Sequence, residues 1–184
     1  MDQLITSVES AIKEKNWYAA LSLALTLPDI AGKLDSPEAR SSARYTAWVQ
    51  QYLVPKYTSQ VAEPNPDRAR QPPVIMVDKV FLPANDCYAL RCAYLHEGSA
   101  DITNQRIQEV LEAFDFISPP PDNNTVHKNS VGNKLQLQVD IFCNDIISGI
   151  WQWLHDNNGN AAKLSAMDAF LKVREIKKGE DIKL

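Results

Sequence analysis

The chain has 184 residues, 45% hydrophobic and 23% charged, which suffices for one domain with a hydrophobic core. Its net charge of −4 argues against a broad basic grip on nucleic acid, while leaving room for a small focused basic cleft. No apolar run reaches membrane-span length, Met1-Asp2-Gln3-Leu4 lacks the basic start of a secretory signal, and three cysteines (Cys87, Cys92, Cys143) suggest neither a disulfide framework nor a zinc site. We therefore expect a cytoplasmic protein with buried, reduced thiols and no membrane association.

Leu4, Ile5, Val8, Ala11 and Ile12 recur at helical spacing, so an amphipathic helix is expected from Leu4 to about Lys15. After Asn16, the segment Trp17 to Leu25 reads as a more apolar helix, buried on most sides and closed by Pro28. Ser36-Pro37-Glu38 offers a cap and a first-turn proline for a third helix, whose stripe of Tyr45, Trp48, Val49, Tyr52 and Leu53 runs to Pro55. From about 57 to 77 the density of prolines predicts a long loop, with regular structure unlikely before Val74-Ile75-Met76-Val77. Arg68 and Arg70 in that loop are candidate contacts to a phosphate backbone, against the simpler reading of a solvated linker.

Asn85 or Asp86 is positioned to cap a fourth helix that Gly98 ends. The stretch Ile107 to Ile117 is ambiguous between helix and strand, and Pro119 to Asn124 forces a loop. Lys134 to Val139 alternates as a half-exposed strand does, with Phe114-Asp115-Phe116 as a candidate hairpin partner. Asp140 then caps a strong helix through Leu154, ended by Asn157-Asn158-Gly159, and a final helix is expected from about Ala161 to Val173.

The fourth helix carries the chemistry. On a wheel of about 100° per residue, Cys87, Tyr88, Leu90, Tyr94 and Leu95 form one apolar arc with Arg91 near its middle. A guanidinium on an apolar face needs a carboxylate, a phosphate or a second chain to receive it. Asp140 and Glu112 are candidate ion-pair partners. His96, five residues on, lies about 140° round the wheel by regular helical geometry, at the helix end. Arginine supplies a permanent forked donor and histidine a group that titrates near neutral pH, a pair suited to a phosphate diester.

Arg91-Cys92-Ala93-Tyr94-Leu95-His96 resembles the Arg-x4-6-His motif of the HEPN superfamily (higher eukaryotes and prokaryotes nucleotide-binding domains), and the likeness covers about Ala89 to Gly98. With the helical flanks, the resemblance implies a mainly α fold, a HEPN-like bundle of about five to six helices in a single domain over 1–184; the small β-hairpin insertion near 107–139 rests on the alternation alone and lies outside the likeness. The resemblance further implies a metal-independent, cofactor-free endoribonuclease working as a homodimer, in a toxin–antitoxin or phage-defence setting, with an antitoxin or other partner protein. Arg91 would hold the scissile phosphate and His96 would act as general base or acid for attack by the RNA 2′-hydroxyl. Tyr94 and Glu97 are weaker supporting candidates. Many active members carry a polar residue after the arginine, where this chain has Cys92. That departure favours the alternative, a non-catalytic HEPN-like dimerisation or protein-interaction module.

Elsewhere the sequence offers little. His127 and His155 have no metal-ligand spacing to a carboxylate, and the glycines form no phosphate-cradling loop. The four tryptophans (Trp17, Trp48, Trp151, Trp153) are expected in the core.

Overall fold

A computed structural model describes residues 1–66, 73–122, 124–170 and 173. Helix α1 (Asp2–Lys13) buries Ile5 and Val8, and Asn16 caps α2 (Trp17–Asp35) by accepting the Ala19 N–H. Pro28 does not close α2. Its missing N–H and fixed φ are tolerated because buried residues lie on both sides of it, from Ala20 to Leu27 and at Ala31 and Gly32. That burial outweighs a proline penalty of about 3 kcal/mol. Nor is the start of α2 buried on most sides, since Tyr18 is an exposed residue.

Residues 36–39 form a turn rather than a helical start, and α3 runs Ser41–Tyr52, followed by a 3-10 turn Val54–Tyr57. The next segment corrects the expected loop. Thr58–Pro64 (β1) pairs antiparallel with Val74–Val80 (β2), from Thr58 opposite Val80 to Pro64 opposite Val74. Pro64 closes β1 while Pro66 and Pro73 lie between the strands, so the prolines bound the hairpin instead of forbidding it.

Helix α4 (Ala84–Cys92) starts after Pro83, so Asn85 and Asp86 lie inside its first turn, and a π-turn (Ala93–Glu97) continues it to Gly98 at φ 65°. Strands β3 (Ala113–Ile117), β4 (Asn129–Val131) and β5 (Lys134–Gln138) form a second sheet in the order β3-β5-β4. Phe114-Asp115-Phe116 does pair with Leu135-Gln136-Leu137, but in parallel. A parallel pair cannot be joined by a tight turn, and the hairpin partner of β5 is instead β4, across a turn with Gly132 at φ 58°.

Helix α5 (Val139–Asp156) follows β5 without a break, starting after Gln138 with no side-chain cap, and α6 is shorter than expected, Ala161–Asp168. α2 packs against α1, α3 and α5, and α3 against α4, around a core that includes Leu25, Trp48, Leu90, Phe142 and Trp153. A Cβ at Gly149 of α5 would meet the Trp48 ring at 2.8 Å, so this glycine lets α5 lie against α3. Trp48 and Trp153 are core residues, whereas Trp151 is exposed and Trp17 half-buried.

The molecule is therefore mixed α/β, with six α-helices and five strands, two in one sheet and three in the other, among the described residues. This corrects the mainly α helical bundle expected above. The expectation failed because strands of five to seven residues with short apolar runs leave no 3.6-residue periodicity to contradict a loop reading. Among the described residues no helix is long and apolar enough to cross a membrane.

Candidate functional site

Arg91 sits in the last turn of α4, facing α2 and α3. Its Nη2 donates to Asp29 Oδ2 of α2 at 3.1 Å, and the Arg44 Nε of α3 donates to Asp29 Oδ1 at 3.0 Å. The Ser41 hydroxyl donates to the same Oδ1 at 3.2 Å. The three charged side chains are only 17–18% exposed, so both ion pairs are shielded from water yet open at one edge.

Asp29 is the carboxylate the sequence reading missed. Asp140 accepts from Gln138 Nε2 and Glu112 from Asn133 Nδ2, both away from Arg91. The missed signal is that Asp29 is the only acidic residue between Trp17 and Leu34, in a largely apolar helix where a charge needs a partner. Close helix approach makes the triad. A Cβ on Gly32, one turn beyond Asp29, would stand 2.7 Å from the Arg44 carbonyl oxygen, so glycine allows α3 to bring Arg44 against α2.

His96 meets Arg91 despite the 140° that a regular helix would put between them. The Arg91 Nη1 lies 3.1 Å from His96 Nε2. The reason is the π-turn: its hydrogen bonds span five residues, as from the Gly98 N–H to the Ala93 carbonyl, and the Ser99 N–H reaches Ala93 as well at 3.1 Å. The widened turn returns the side chain five places on towards the one it left. Because arginine only donates, His96 Nε2 is the acceptor and the neutral ring carries its proton on Nδ1. His96 is exposed, while Arg91 is mostly covered. The pair thus joins a fixed cation to a solvent-facing proton acceptor.

The supporting candidates point elsewhere. Tyr94 donates from its hydroxyl to the Tyr18 carbonyl at 3.3 Å, tying the π-turn to the start of α2, and Glu97 accepts from Gln105 Nε2 at 2.9 Å. Arg68 and Arg70 lie outside the described residues. Cys92 Sγ is 4.0 Å from Arg91 Nη1. Cys87 and Cys143 are buried and free, and burial pushes both thiols up to about 12, so neither is a nucleophile near neutral pH. Tyr88, beside Cys92 and Ser41, has its phenol raised above the ordinary value, by burial first and then by its hydrogen bond with Cys92.

Asp86 anchors the opposite end of α4. Fully buried, it accepts the backbone N–H groups of Glu109 at 2.6 Å, Val110 at 3.0 Å and Leu111 at 2.9 Å. It thereby fixes the segment that leads from the His96 turn into β3.

A second polar cluster lies beneath β5. His127 Nδ1 accepts the Gln138 N–H at 3.2 Å, so its neutral ring carries the proton on Nε2, 3.8 Å from Asp145 Oδ2. Asp145 also accepts the Tyr57 hydroxyl at 3.0 Å. Burial holds His127 below its ordinary pKa of 6.5, only partly opposed by Asp145. Among the described residues no three His, Cys, Asp or Glu side chains are placed to hold a metal ion.

Comparison with known proteins gives no match: neither a family model, nor a curated protein, nor a solved structure matches this chain.

Proposed function

We propose that this protein is a metal-independent endoribonuclease of the HEPN type, with Arg91 and His96 as its catalytic pair. The observation that carries the reading is the 3.1 Å approach of Arg91 Nη1 to the exposed His96 Nε2. In the proposed reaction the RNA phosphate draws Arg91 Nη1 off His96 Nε2, and the freed Nε2 takes the proton of the 2′-hydroxyl as the 2′-oxygen attacks phosphorus. The bond from phosphorus to the 5′-oxygen breaks, and that oxygen is protonated as it leaves. The products are a 2′,3′-cyclic phosphate and a 5′-hydroxyl. Arg91 stabilises the charge that grows on the non-bridging oxygens.

One chain presents a single histidine at this position, and two proton transfers are needed. A homodimer that apposes two such helices would supply the second as general acid, which is the composite site the family resemblance implies. A toxin–antitoxin or phage-defence role, with an antitoxin partner, belongs to the same reading.

One observation favours the alternative. Asp29 already receives Arg91, as a structural ion pair in a non-catalytic interaction module would. The experiment that decides is cleavage of single-stranded RNA in EDTA by wild type, Arg91→Ala and His96→Ala, with end-group analysis of the products. The nuclease reading expects cyclic phosphate ends from wild type and at least about a hundredfold less cleavage by each variant. Equal cleavage by all three, or none by wild type, would overturn it.

A further inference from the structure

The Asp29 carboxylate does not satisfy the groups gathered around it. Its Oδ1 takes both Ser41 Oγ and Arg44 Nε, leaving Oδ2 for Arg91 Nη2 alone. Arg91 Nε is buried with no hydrogen-bond partner. A guanidinium grips an oxyanion best with two parallel N–H groups, and the Nε and Nη2 edge of Arg91 is only half used. Tethered to α2, the Asp29 carboxylate is held where Arg91 Nε does not reach it, although its Oδ2 has acceptor capacity to spare.

A tetrahedral phosphate, free of that tether, can reach all four donors. One oxygen would take Ser41 and Arg44 while a second and third meet the two donors of the Arg91 fork. The charge agrees, because two guanidiniums face one carboxylate and leave the cluster with one positive charge in excess. Access exists as well: the Asp29, Arg44 and Arg91 side chains each keep 17–18% of their surface open to solvent.

We infer that Ser41, Arg44 and Arg91 form a seat for a phosphate oxyanion, that Asp29 is its resident placeholder, and that an incoming phosphate takes the seat by displacing that carboxylate. The inference deepens the nuclease reading, which assigns Arg91 to the scissile phosphate, by adding Ser41 and Arg44 to the phosphate contacts and Asp29 as a competitor for them. The displaced carboxylate stays beside the seat and repels the incoming anion, so affinity in the wild type is held down by that competition. Removing Asp29 ends it.

Calorimetric titration of the full chain tests this with two probes, inorganic phosphate and a short oligodeoxynucleotide, whose diesters lack the 2′-hydroxyl and cannot be cleaved by the proposed route. Asp29→Ala and the isosteric Asp29→Asn, each checked for native circular dichroism, are expected to bind at least about tenfold tighter than wild type. The gain is expected to vanish in Asp29→Ala/Arg44→Ala. A gain with the oligonucleotide assigns the seat to a polynucleotide backbone, and a gain with inorganic phosphate alone assigns it to a free phosphate group. Folded Asp29 variants that bind neither probe more tightly, or a gain that persists without Arg44, would overturn the inference. If Asp29→Ala does not fold, Asp29→Asn alone decides. Wild type that cleaves no RNA while the gain is present would sink the nuclease and keep the seat, and cleavage without the gain would do the reverse.

Discussion

Replacing Asp86 with alanine should strip one buried acceptor from three backbone N–H groups at once. The carboxylate is fully buried and holds the N–H groups of Glu109, Val110 and Leu111. In Asp86→Ala all three lose their acceptor. Leu111 is 5% exposed, so its N–H is stranded at a cost of about 1–3 kcal/mol. Val110 is 51% exposed and Glu109 is also at the surface, so those two N–H groups turn to water and forfeit about 0.5–1.5 kcal/mol each. The sum centres on about 3 kcal/mol, after some relief from no longer burying a charge. In urea unfolding followed by far-ultraviolet circular dichroism, with a slope near 2–3 kcal/mol per molar, the midpoint should fall by about 1–1.5 M with the slope unchanged. Asp86→Asn keeps one acceptor oxygen but turns amide hydrogens towards N–H donors, so it should lose most of the same stability. A loss below about 0.5 kcal/mol in Asp86→Ala would refute the reasoning, because the loop would then have needed no buried acceptor.

Two further outcomes are expected. Gly32→Ala places a methyl against the Arg44 carbonyl, and the overpacking cost of about 1–3 kcal/mol exceeds the gain of about 1 kcal/mol in helix propensity, so the thermal midpoint should drop; a rise would show that α2 and α3 separate freely. For His127 the folded pKa lies below 6.5, so the neutral ring is the form that fits the fold. The associated stability is fully present above the unfolded value of about 6.5 and is lost as pH falls through the lower folded value. Urea midpoints should decline on acidification in that window, and His127→Asn, which keeps an acceptor for the Gln138 N–H, should flatten the decline; an unchanged slope in the variant would assign it to other groups.

The sequence revealed its helices where burial repeats every three to four residues, as at Tyr45, Trp48, Val49 and Tyr52, all buried in α3. It misled where one strong local signal stood for the whole. Pro28 reads as a stop, yet packing on both sides of it carries α2 to Asp35. The prolines around the β1–β2 connection obscured a hairpin whose β-branched strand, Val74 to Val80, was visible in part. The direction of β3 against β5 could not be read, because alternation is the same in parallel and antiparallel pairs. At the site, Arg91 and His96 were legible from residue type and spacing. Their contact was not, since it depends on a turn that departs from regular helical geometry. Asp29, Ser41 and Arg44 are brought in from two other helices, 62 residues separating Asp29 from Arg91, and no local pattern reports that.

The position of α5 against α2 bears on how the chain comes to fold during synthesis. The Trp153 indole donates to Asp35 across 118 residues, and closing a loop of that length costs about 4 kcal/mol in chain entropy before any contact repays it. Some 80 residues separate the 3-10 turn at Tyr57 from the start of α5, so at about 5–20 residues per second the first three helices exist for roughly 4–16 s without their cover. Through that interval the apolar side of α2, from Leu21 to Ala31, faces water or whatever else is near. The N-terminal helices are therefore the part of this protein most exposed to misassociation on the ribosome, and α5, made late, ends that exposure.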